Sequence, residues 1–303
     1  MSSYASALAA ARDAASAQHY PQGALYVVAT PIGNLADISL RALHVLQLVD
    51  VIACEDTRHT QQMLRAYGID KPSSQLLAVH QHNEAQASNQ VTALLGQGQR
   101  VAFVSDAGTP AVSDPGARLV AVVRTAGHVV VPLPGASSVT TALSVAGIGA
   151  DDSRGGFVFA GFLSSKATER NQAVTALAAE PRSVVLLEAP HRIEALASAL
   201  AVLGGRLLTV GRELTKQFED IATLPAADFP GWLVAQPQRT RGEFVLVLHP
   251  APPAADRAPA QAIRVLKLLL AELPLKTAVK LSADITGISK NELYEAALAM
   301  KEA

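Results

Sequence analysis

A loop of small and polar residues from 105 to 116 is the stretch of this sequence best suited to hold a small molecule. It directly follows Val101–Val104, a short apolar run typical of a buried parallel strand. The loop contains two glycines, two prolines and two aspartates. Glycine lets a backbone approach a ligand and proline fixes its shape, and ligands of open α/β sheets lie at the carboxyl ends of the strands. The loop therefore predicts a small-molecule site, and the alternative is an ordinary strand-to-helix turn with Asp114 as the helix cap.

Similar small or polar loops follow other predicted strands, which indicates one cleft assembled from several strand ends. The sequence lacks the G-x-G-x-x-G fingerprint of dinucleotide-binding folds, and it also lacks the Walker, H-E-x-x-H and G-x-S-x-G motifs. A cleft between two domains is a favoured place for a ligand. The loops expected to line such a cleft are 30–34, 105–116, 134–138, 187–192, 211–216 and 241–243.

The elements that must position these loops alternate between strand and helix along the chain. Short apolar runs bounded by turn residues predict the strands, at 25–29, 51–54, 75–79, 101–104, 129–131, 158–160, 184–187, 207–210 and 244–248. Segments with apolar residues at helical spacing lie between most of them. This alternation is typical of an α/β fold with a mainly parallel, helix-covered sheet.

The length of 303 residues is about twice that of a typical domain, and we predict two α/β domains at 23–132 and 133–250 with the cleft between them. The Ala-rich N-terminal extension, 1–22, is expected to be flexible, either frayed or weakly helical, and it lacks the basic start and long apolar core of a signal peptide. A proline-rich linker at 251–259 leads to a C-terminal module of three helices at 260–303. The last two of these helices are joined like a helix-turn-helix.

Composition and charge restrict the classes of function. Half of the residues are hydrophobic, but no uninterrupted apolar run reaches about 18 residues, so we expect no membrane span. The net charge of −1 gives no electrostatic sign of a nucleic-acid partner and excludes none. The single cysteine, Cys54, excludes an internal disulfide and a multi-thiolate metal site. We therefore expect a cytoplasmic protein without a bound metal.

Six motifs, in order along the chain, resemble those of the tetrapyrrole-methylase superfamily, and in particular its branch that methylates ribosomal RNA. They are V-A-T-P-I-G-N-L at 28–35, C-E-D-T-R at 54–58, S-D-A-G-T-P at 105–110, P-G-A-S-S at 134–138, E-A-P-H-R at 188–192 and G-R-E-L-T-K at 211–216. The resemblance covers residues 23–250, and the helical tail also fits it. The sequence departs from the family at Ala189, where Ser is common, and at Gln81, where Glu is common.

The resemblance implies S-adenosylmethionine (SAM) as methyl donor, bound between the two α/β domains of each chain in a homodimer. It also implies methylation of the ribose 2′-oxygen of a cytidine in small-subunit (16S) ribosomal RNA. In this family several loops, rather than a glycine fingerprint, hold the cofactor, which agrees with the missing G-x-G-x-x-G. The SAM contacts expected at matching positions are Pro31, Asp106, Gly108, Thr109, Pro110, Ser137, Ser138, Leu187, Glu188, Glu213 and Glu243.

Methyl transfer from a sulfonium is an in-line displacement that needs no metal and depends mainly on orientation in a dry site. A 2′-hydroxyl is a poor nucleophile while protonated, so a nearby base would help. The sequence does not choose among the candidates for this base, which are Glu55, Asp56, His82, Glu84 and Glu219. We predict a catalytic set of Asp56, Arg58 and His82.

Arginine presents a fixed fork of hydrogen-bond donors that suits phosphates. The side chains expected to bind RNA phosphates are Arg58, His191, Arg192 and Lys216. Other roles stay open for several of the predicted site residues. Asp56 could be a helix cap or an ion-pair partner of Arg58, and His82 and Lys216 could be solvent-exposed.

Other functions also stay open. The same fold could methylate a corrin or porphyrin ring or the diphthamide precursor, although the stretches 55–58 and 80–84 fit the RNA enzyme better. A non-enzymatic nucleic-acid-binding regulator could use the tail, but residues 258–303 hold six Lys or Arg against five Asp or Glu, a net charge of +1. We expect the tail to be a separable module that assists substrate engagement. A nucleotide hydrolase is disfavoured, because the sequence has no phosphate loop.

Overall fold

The first half of the chain forms a five-stranded, entirely parallel sheet. The structure is a computed structural model that describes residues 4–80, 82–113, 116–148, 156–251 and 254–302. The strands lie in the order β3-β2-β4-β1-β5. They are β1 (Ala24–Val28), β2 (Val51–Cys54), β3 (Leu76–Ala78), β4 (Val101–Val104) and β5 (Val129–Leu133). Each of the five lies where the sequence predicts a strand.

Helices cover both faces of this sheet, because side chains alternate between the faces along each buried strand. In β4, Ala102 packs in the cluster on one face and Phe103 in the cluster on the other. Cys54 is buried in the first cluster, and burial raises the pKa of its thiol to about 11, which fits a packing role. The covering helices are α2 (Leu40–Leu48), α3 (Thr57–Tyr67), α4 (Glu84–Gly96) and α5 (Ala117–Thr125).

The N-terminal extension is helical, as one of the two predicted alternatives has it, and it is packed against the first domain rather than frayed. It contains helix α1 (Ala5–Ala15), which packs against α2. Ala11 and Ala15 are buried, and the rings of Tyr4 and Tyr67 meet edge to face with centroids 5.2 Å apart. Alanine is the strongest helix former, and these apolar residues recur on one face of the helix. A weakly apolar segment is thereby ordered by contacts that are distant in sequence.

The second half forms a mixed sheet in the order β6-β7-β10-β8-β9. Strands β6 and β7 are parallel, whereas β10 runs antiparallel to both β7 and β8. Strand β9 was not predicted, and it pairs antiparallel with β8 at the sheet edge. These strands are β6 (Phe157–Gly161), β7 (Ser183–Glu188), β8 (Leu207–Arg212), β9 (Asp220–Pro225) and β10 (Phe244–Leu248). The expectation of mainly parallel pairing therefore holds for the first sheet and fails for the second.

Helix α6 (Ser138–Val145) connects the two halves physically. It follows β5 in sequence but packs on the second sheet, mainly on β10. Val139 of this helix shares an apolar cluster with Val245 of β10 and with Ile32 of the first half. The remaining helices of the second half are α7 (Ala167–Leu177), α8 (Ile193–Leu200) and α9 (Phe229–Val234).

The C-terminal module is a three-helix unit with its own core. Its helices are α10 (Ala254–Glu272), α11 (Leu275–Thr286) and α12 (Lys290–Glu302), and Leu266, Val279 and Leu293 are buried between them. Gly287, with φ +71°, ends α11 in the left-handed conformation that favours glycine.

The predicted linker at 251–259 differs from the structure, because α10 already begins at residue 254. Alanines on both sides of Pro259 favour the helix. Residues 252 and 253 lie outside the described part of the chain, as does Asp114, the alternative helix cap. Among the described residues, no helix is both long enough and apolar enough to cross a membrane.

Candidate functional site

A cleft of about 380 Å³ lies between the first domain and loops of the second. The carboxyl ends of β1 and β4 contribute one wall, and helix α3 contributes another. The structure brings together four of the predicted site residues here, because the cleft is lined by Pro31, Asp106, Lys216 and Glu243. Its other lining residues are Ile32, Gly33, Leu35, His59, Gln62, Met63, Ala66 and Ala107.

The loop after β4 is fixed to the loop after β1 by backbone hydrogen bonds. The N–H of Thr30 donates to the carbonyl of Gly108 at 2.9 Å, and the N–H of Gly108 donates back at 3.0 Å. Gly108 has φ +80°, and a Cβ there would lie 3.3 Å from Cγ2 of Ile32. The Thr109 hydroxyl donates to the carbonyl of Ala136 at 3.1 Å, which connects this loop to the one before α6. The wall is therefore shaped by backbone with little room for side chains.

Ser137 and Ser138, two further predicted cofactor residues, stand at the start of α6. Ser137 is the N-cap residue and Ser138 is the first helical residue. Both are half-buried. Their backbone follows Ala136 directly, so the contact of Ala136 with Thr109 brings them beside the loop after β4. Pro110 is buried in that loop.

Asp56 caps helix α3 and connects it to the loop after β4. Its Oδ1 accepts from the N–H of Arg58 at 2.8 Å and of His59 at 3.4 Å, and its own N–H donates to Asp106 Oδ1 at 3.3 Å. Arg58 Nη2 lies 3.0 Å from Asp56 Oδ2, and this guanidinium is 91% exposed. Hydrogen bonds from the Arg58 side chain and backbone lower the pKa of Asp56 to about 2. Asp56 is thus an ionised cap and ion-pair partner.

The other carboxylates considered as bases also hold backbone N–H groups. Glu55 accepts from Asp106 at 3.3 Å, and Glu84 accepts from Gly116 at 2.9 Å. Glu219 accepts from the N–H of Thr215 at 2.6 Å. These three side chains position loops.

His82 lies in the loop after β3, with its ring centroid 6.0 Å from that of His80. It is absent from the lining of the cleft described above. The structure therefore does not place it in the lining that Asp106, Lys216 and Glu243 share.

The second domain contributes a charged cluster that consists of Glu213, Lys216 and Glu243. Lys216 Nζ lies 2.8 Å from Glu213 Oε1 and 3.0 Å from Glu243 Oε2. Burial opposes the charge on both Glu213 and Lys216, but the hydrogen bonds between them outweigh it. The pKa of Glu213 therefore lies below the ordinary value for a glutamate, and the pKa of Lys216 lies above the ordinary value for a lysine.

The backbone around this cluster is strained. Glu213 and Thr215 have φ values of +52° and +67°, a region that non-glycine residues seldom occupy. The stem of Lys216 crosses to the first domain, where a Cβ on Gly33 would lie 2.4 Å from its Cγ. Only glycine at position 33 leaves room for this approach.

A second ion pair lies at the end of β7. The Glu188 side chain is 1% exposed, and its Oε1 lies 3.1 Å from Arg192 Nε and accepts from the N–H of Ala189 at 2.9 Å. Its other oxygen, Oε2, is buried without a hydrogen-bond partner among the described residues. Arg192 also donates to the carbonyl of Leu163. Leu187 packs in the apolar cluster beneath α6, and His191 is exposed.

Sequence reasoning missed the contribution of helix α3 to the cleft. His59, Gln62, Met63 and Ala66 recur at helical spacing and all line it. The helix begins at Thr57 with Asp56 as its N-cap residue, which places His59 in its first turn.

Comparisons with known proteins follow the same division of the chain. Residues 24–230 match the family described as Tetrapyrrole (Corrin/Porphyrin) Methylases, and residues 256–301 match the RsmI C-terminal HTH domain. Two similar proteins are both named ribosomal RNA small subunit methyltransferase I. The one from Escherichia coli O157:H7 is 47% identical over 91% of this chain and 95% of its own length. The one from Pseudomonas aeruginosa is 46% identical over 91% of this chain and 97% of its own.

Among solved structures, a cobalt precorrin-4 methyltransferase superposes with a TM-score of 0.56 at 17% identity. The match covers 76% of this chain and 98% of that one. At this identity the likeness concerns the fold alone.

Proposed function

This chain belongs to the tetrapyrrole (corrin/porphyrin) methylase family, and from that premise we propose that it transfers a methyl group from SAM to ribosomal RNA. The proposed acceptor is the ribose 2′-oxygen of a cytidine in 16S RNA of the small subunit. Methyltransferases of this family are SAM-dependent in general. The observation that carries the choice of substrate is the similarity, over nine-tenths of the chain, to proteins named for methylating small-subunit ribosomal RNA.

The residues of the cleft fit SAM in shape and charge. When bound, the cofactor supplies a methyl group on a positively charged sulfonium. Asp106 and Glu243 line the cleft with carboxylates that complement this charge. Gly108 keeps the loop after β4 free of a side chain where the space beside Ile32 is already tight.

Glu188 supplies an acceptor for the cofactor. The Oε2 atom of this buried carboxylate has no partner among the described residues, and such an atom is costly to leave unsatisfied. We assign it to a hydroxyl or amino group of the bound cofactor. Ser137, Ser138, Thr109 and the Leu187 strand end complete the site that we propose. Pro31, Pro110 and Glu213 shape its edges.

The substrate side is assigned from exposure. Arg58 and His191 are exposed, and the Arg58 guanidinium can turn from Asp56 to an RNA phosphate at little cost. Arg192 and Lys216 are held by Glu188 and by the charged cluster, so we assign them to the shape of the cleft. This revises the expectation that all four side chains bind phosphates.

The C-terminal module favours RNA over a tetrapyrrole as substrate. Its three helices enclose their own core, and residues 256–301 match a domain described for this group of methyltransferases. We propose that the module helps to engage the small ribosomal subunit. The homodimer and the cytoplasmic location, where ribosomes are found, also belong to this proposal. Light scattering of the purified protein measures the first of these directly.

A methyl-transfer assay tests the proposed function. Purified protein is incubated with radiolabelled SAM and, separately, with small ribosomal subunits, naked 16S RNA and a uroporphyrinogen. We expect label in the ribosomal RNA, and nuclease digestion with mass spectrometry should find it in one 2′-O-methylcytidine. Label in the tetrapyrrole alone would instead support the corrin or porphyrin alternative. An absence of transfer to all three acceptors would contradict the proposal.

A further inference from the structure

We infer that His59 accepts the proton of the ribose hydroxyl that is methylated, an inference that rests on the function proposed above. His59 stands in the first turn of α3 and lines the cleft on the wall formed by that helix. Gln62, Met63 and Ala66 continue the same wall. The side chains of Lys216 and Glu243 belong to the second domain and line the same cleft. An imidazole in this position can meet a substrate that enters between the domains.

The backbone of His59 is tied to the cofactor loop through Asp56. The N–H of His59 donates to Asp56 Oδ1, and the N–H of Asp56 donates to Asp106 Oδ1 at 3.3 Å. Two hydrogen bonds therefore connect the first turn of α3 to the loop that we assign to SAM. General-base catalysis requires such fixed geometry, because the base must stay within reach of one proton.

The other titratable groups that line the cleft already have partners within the protein. Glu243 is paired with Lys216, whose pKa is raised by its two carboxylate partners. Asp106 accepts from the backbone of Asp56, which is itself ionised with a pKa of about 2 and paired with Arg58.

The sequence-derived candidates Glu55, Glu84 and Glu219 each hold a backbone N–H group. Histidine is the side-chain type that accepts a proton near neutral pH. Among the titratable residues that line the cleft, this leaves His59 for the task.

The proposed step is balanced as follows. The ribose 2′-oxygen forms a bond to the methyl carbon while the bond from that carbon to the sulfur of SAM breaks. The electron pair of the broken bond stays on sulfur, which becomes a neutral thioether. The proton of the 2′-hydroxyl passes to an imidazole nitrogen of His59, which becomes an imidazolium and later releases the proton to water.

Single-turnover methylation of small subunits tests this step with His59→Gln and His59→Ala. We expect both variants to lower the rate constant by about 100-fold or more, the range of general acid–base catalysis. The affinity for SAM, measured by calorimetry, should change by less than about twofold. Added imidazole should restore part of the rate of His59→Ala and none of that of His59→Gln.

The matched control is His19→Gln. His19 is exposed and precedes β1, so it lies at the edge of the sheet opposite the cleft. This variant should keep the wild-type rate and the wild-type affinity for SAM.

A binding measurement gives a readout apart from activity. In proteins labelled with ¹⁵N-histidine, the imidazole signal that disappears in His59→Gln identifies His59. An RNA oligonucleotide that contains the target cytidine should shift this signal, and should leave the His19 signal in place.

The possible failures are distinguishable. A wild-type protein that methylates no ribosomal RNA overturns the proposed function, and this inference falls with it. An active wild type together with a fully active His59→Gln, or with no imidazole rescue of His59→Ala, overturns the inference alone. A His59 imidazole signal that does not shift when the oligonucleotide is added also overturns the inference.

Discussion

The two domains line the cleft with different kinds of chemical groups. The first domain uses backbone and small residues. Examples are the isolated β-bridge between Thr30 and Gly108, and Gly33, which has no side chain. The second domain uses charged side chains, namely the cluster around Lys216, and we assign the buried Glu188–Arg192 pair to the same side. The first side therefore fixes the shape of the cleft, and the second side fixes its charge.

This difference follows from the topology of the two sheets. All strands of the first sheet are parallel, so the loops after β1, β2 and β4 meet at one edge. In the second sheet, antiparallel β10 lies between β7 and β8, and Phe244 at its start pairs with both Glu188 and Arg212 at their ends. That edge therefore presents long side chains at strand ends rather than tight loops.

A side chain at position 108 should damage the shape-fixing side most. We expect Gly108→Val to weaken SAM binding by more than about 100-fold. Its φ of +80° and the 3.3 Å approach of Ile32 leave no room for a branched side chain without moving the loop. Calorimetry with the folded variant measures this affinity.

Gly98→Val is the matched control for this prediction. Gly98 has nearly the same φ, +82°, but an added Cβ there meets nothing within 4 Å. It precedes β4 at the far edge of the sheet. Both variants carry the same backbone strain, so equal losses of SAM affinity would show that strain, and not the shape of the loop, is responsible.

Arg192→Ala tests the charged side and should mainly affect stability. It leaves the 1%-exposed carboxylate of Glu188 without its cation, and breaking such a pair costs about 2 kcal/mol or more. Thermal or urea unfolding measures the loss. The control is Arg182→Ala, because the Arg182–Glu180 pair is far more exposed and should contribute under about 1 kcal/mol. Similar losses in both variants would contradict a buried, cleft-shaping role for Arg192.

Arg58 stands on the first domain but is exposed, so its effect should appear only with RNA. We expect Arg58→Ala to leave SAM affinity unchanged and to lower the slope of log K against log salt for 16S RNA binding by about 1. Arg124→Ala serves as control, since Arg124 ends α5 at the edge away from the cleft. An unchanged slope in Arg58→Ala would leave Arg58 as an ion-pair partner of Asp56 only.

The sequence supplied candidate residues for both sides of the cleft, but it predicted neither the ion pairs of the charged side nor the strand order beneath them. Buried parallel strands are continuous apolar runs, and the loop at 105–116 stands out by its composition, so both were visible. The order of β7, β10 and β8 depends on pairing between distant segments, which local patterns do not encode. The half-exposed edge strand β9 carries no such apolar run, because Ile221 and its neighbours alternate toward solvent.

Some site residues could not be found from the sequence, or have a different role in the structure from the one predicted. His59 was missed because the sequence leaves Asp56 open between a helix cap and an ion-pair partner, and only the cap places His59 in the first turn of α3. The role of Lys216 depends partly on Glu243, a carboxylate in another loop, and the role of Arg192 depends on the burial of Glu188, four residues before it. Residue type alone suggested phosphate binding for both.

The smallest expected effect is a pH-dependent loss of stability on the charged side of the cleft. The folded-state pKa of Glu213 lies below its ordinary value of 4.5, because hydrogen bonds from Lys216 and from the backbone of Glu243 outweigh its burial. Its contribution to stability is therefore fully present above about pH 4.5 and is lost as the pH falls through the lowered folded pKa.

In Lys216→Met, the ammonium no longer offsets the cost of burying the Glu213 carboxylate. The ionised carboxylate therefore destabilises the folded protein. We expect the variant to lose about 1 kcal/mol near pH 7, and this loss should shrink as the pH falls from 5 to 3. Melting temperatures of both proteins across pH 3–7 measure this difference, with Lys166→Met, from the exposed Lys166–Glu169 pair, as a control that should show a much smaller one. A difference that stays constant with pH would mean that Lys216 stabilises the protein through the packing of its stem on Gly33, and the second domain would then shape the cleft as the first one does.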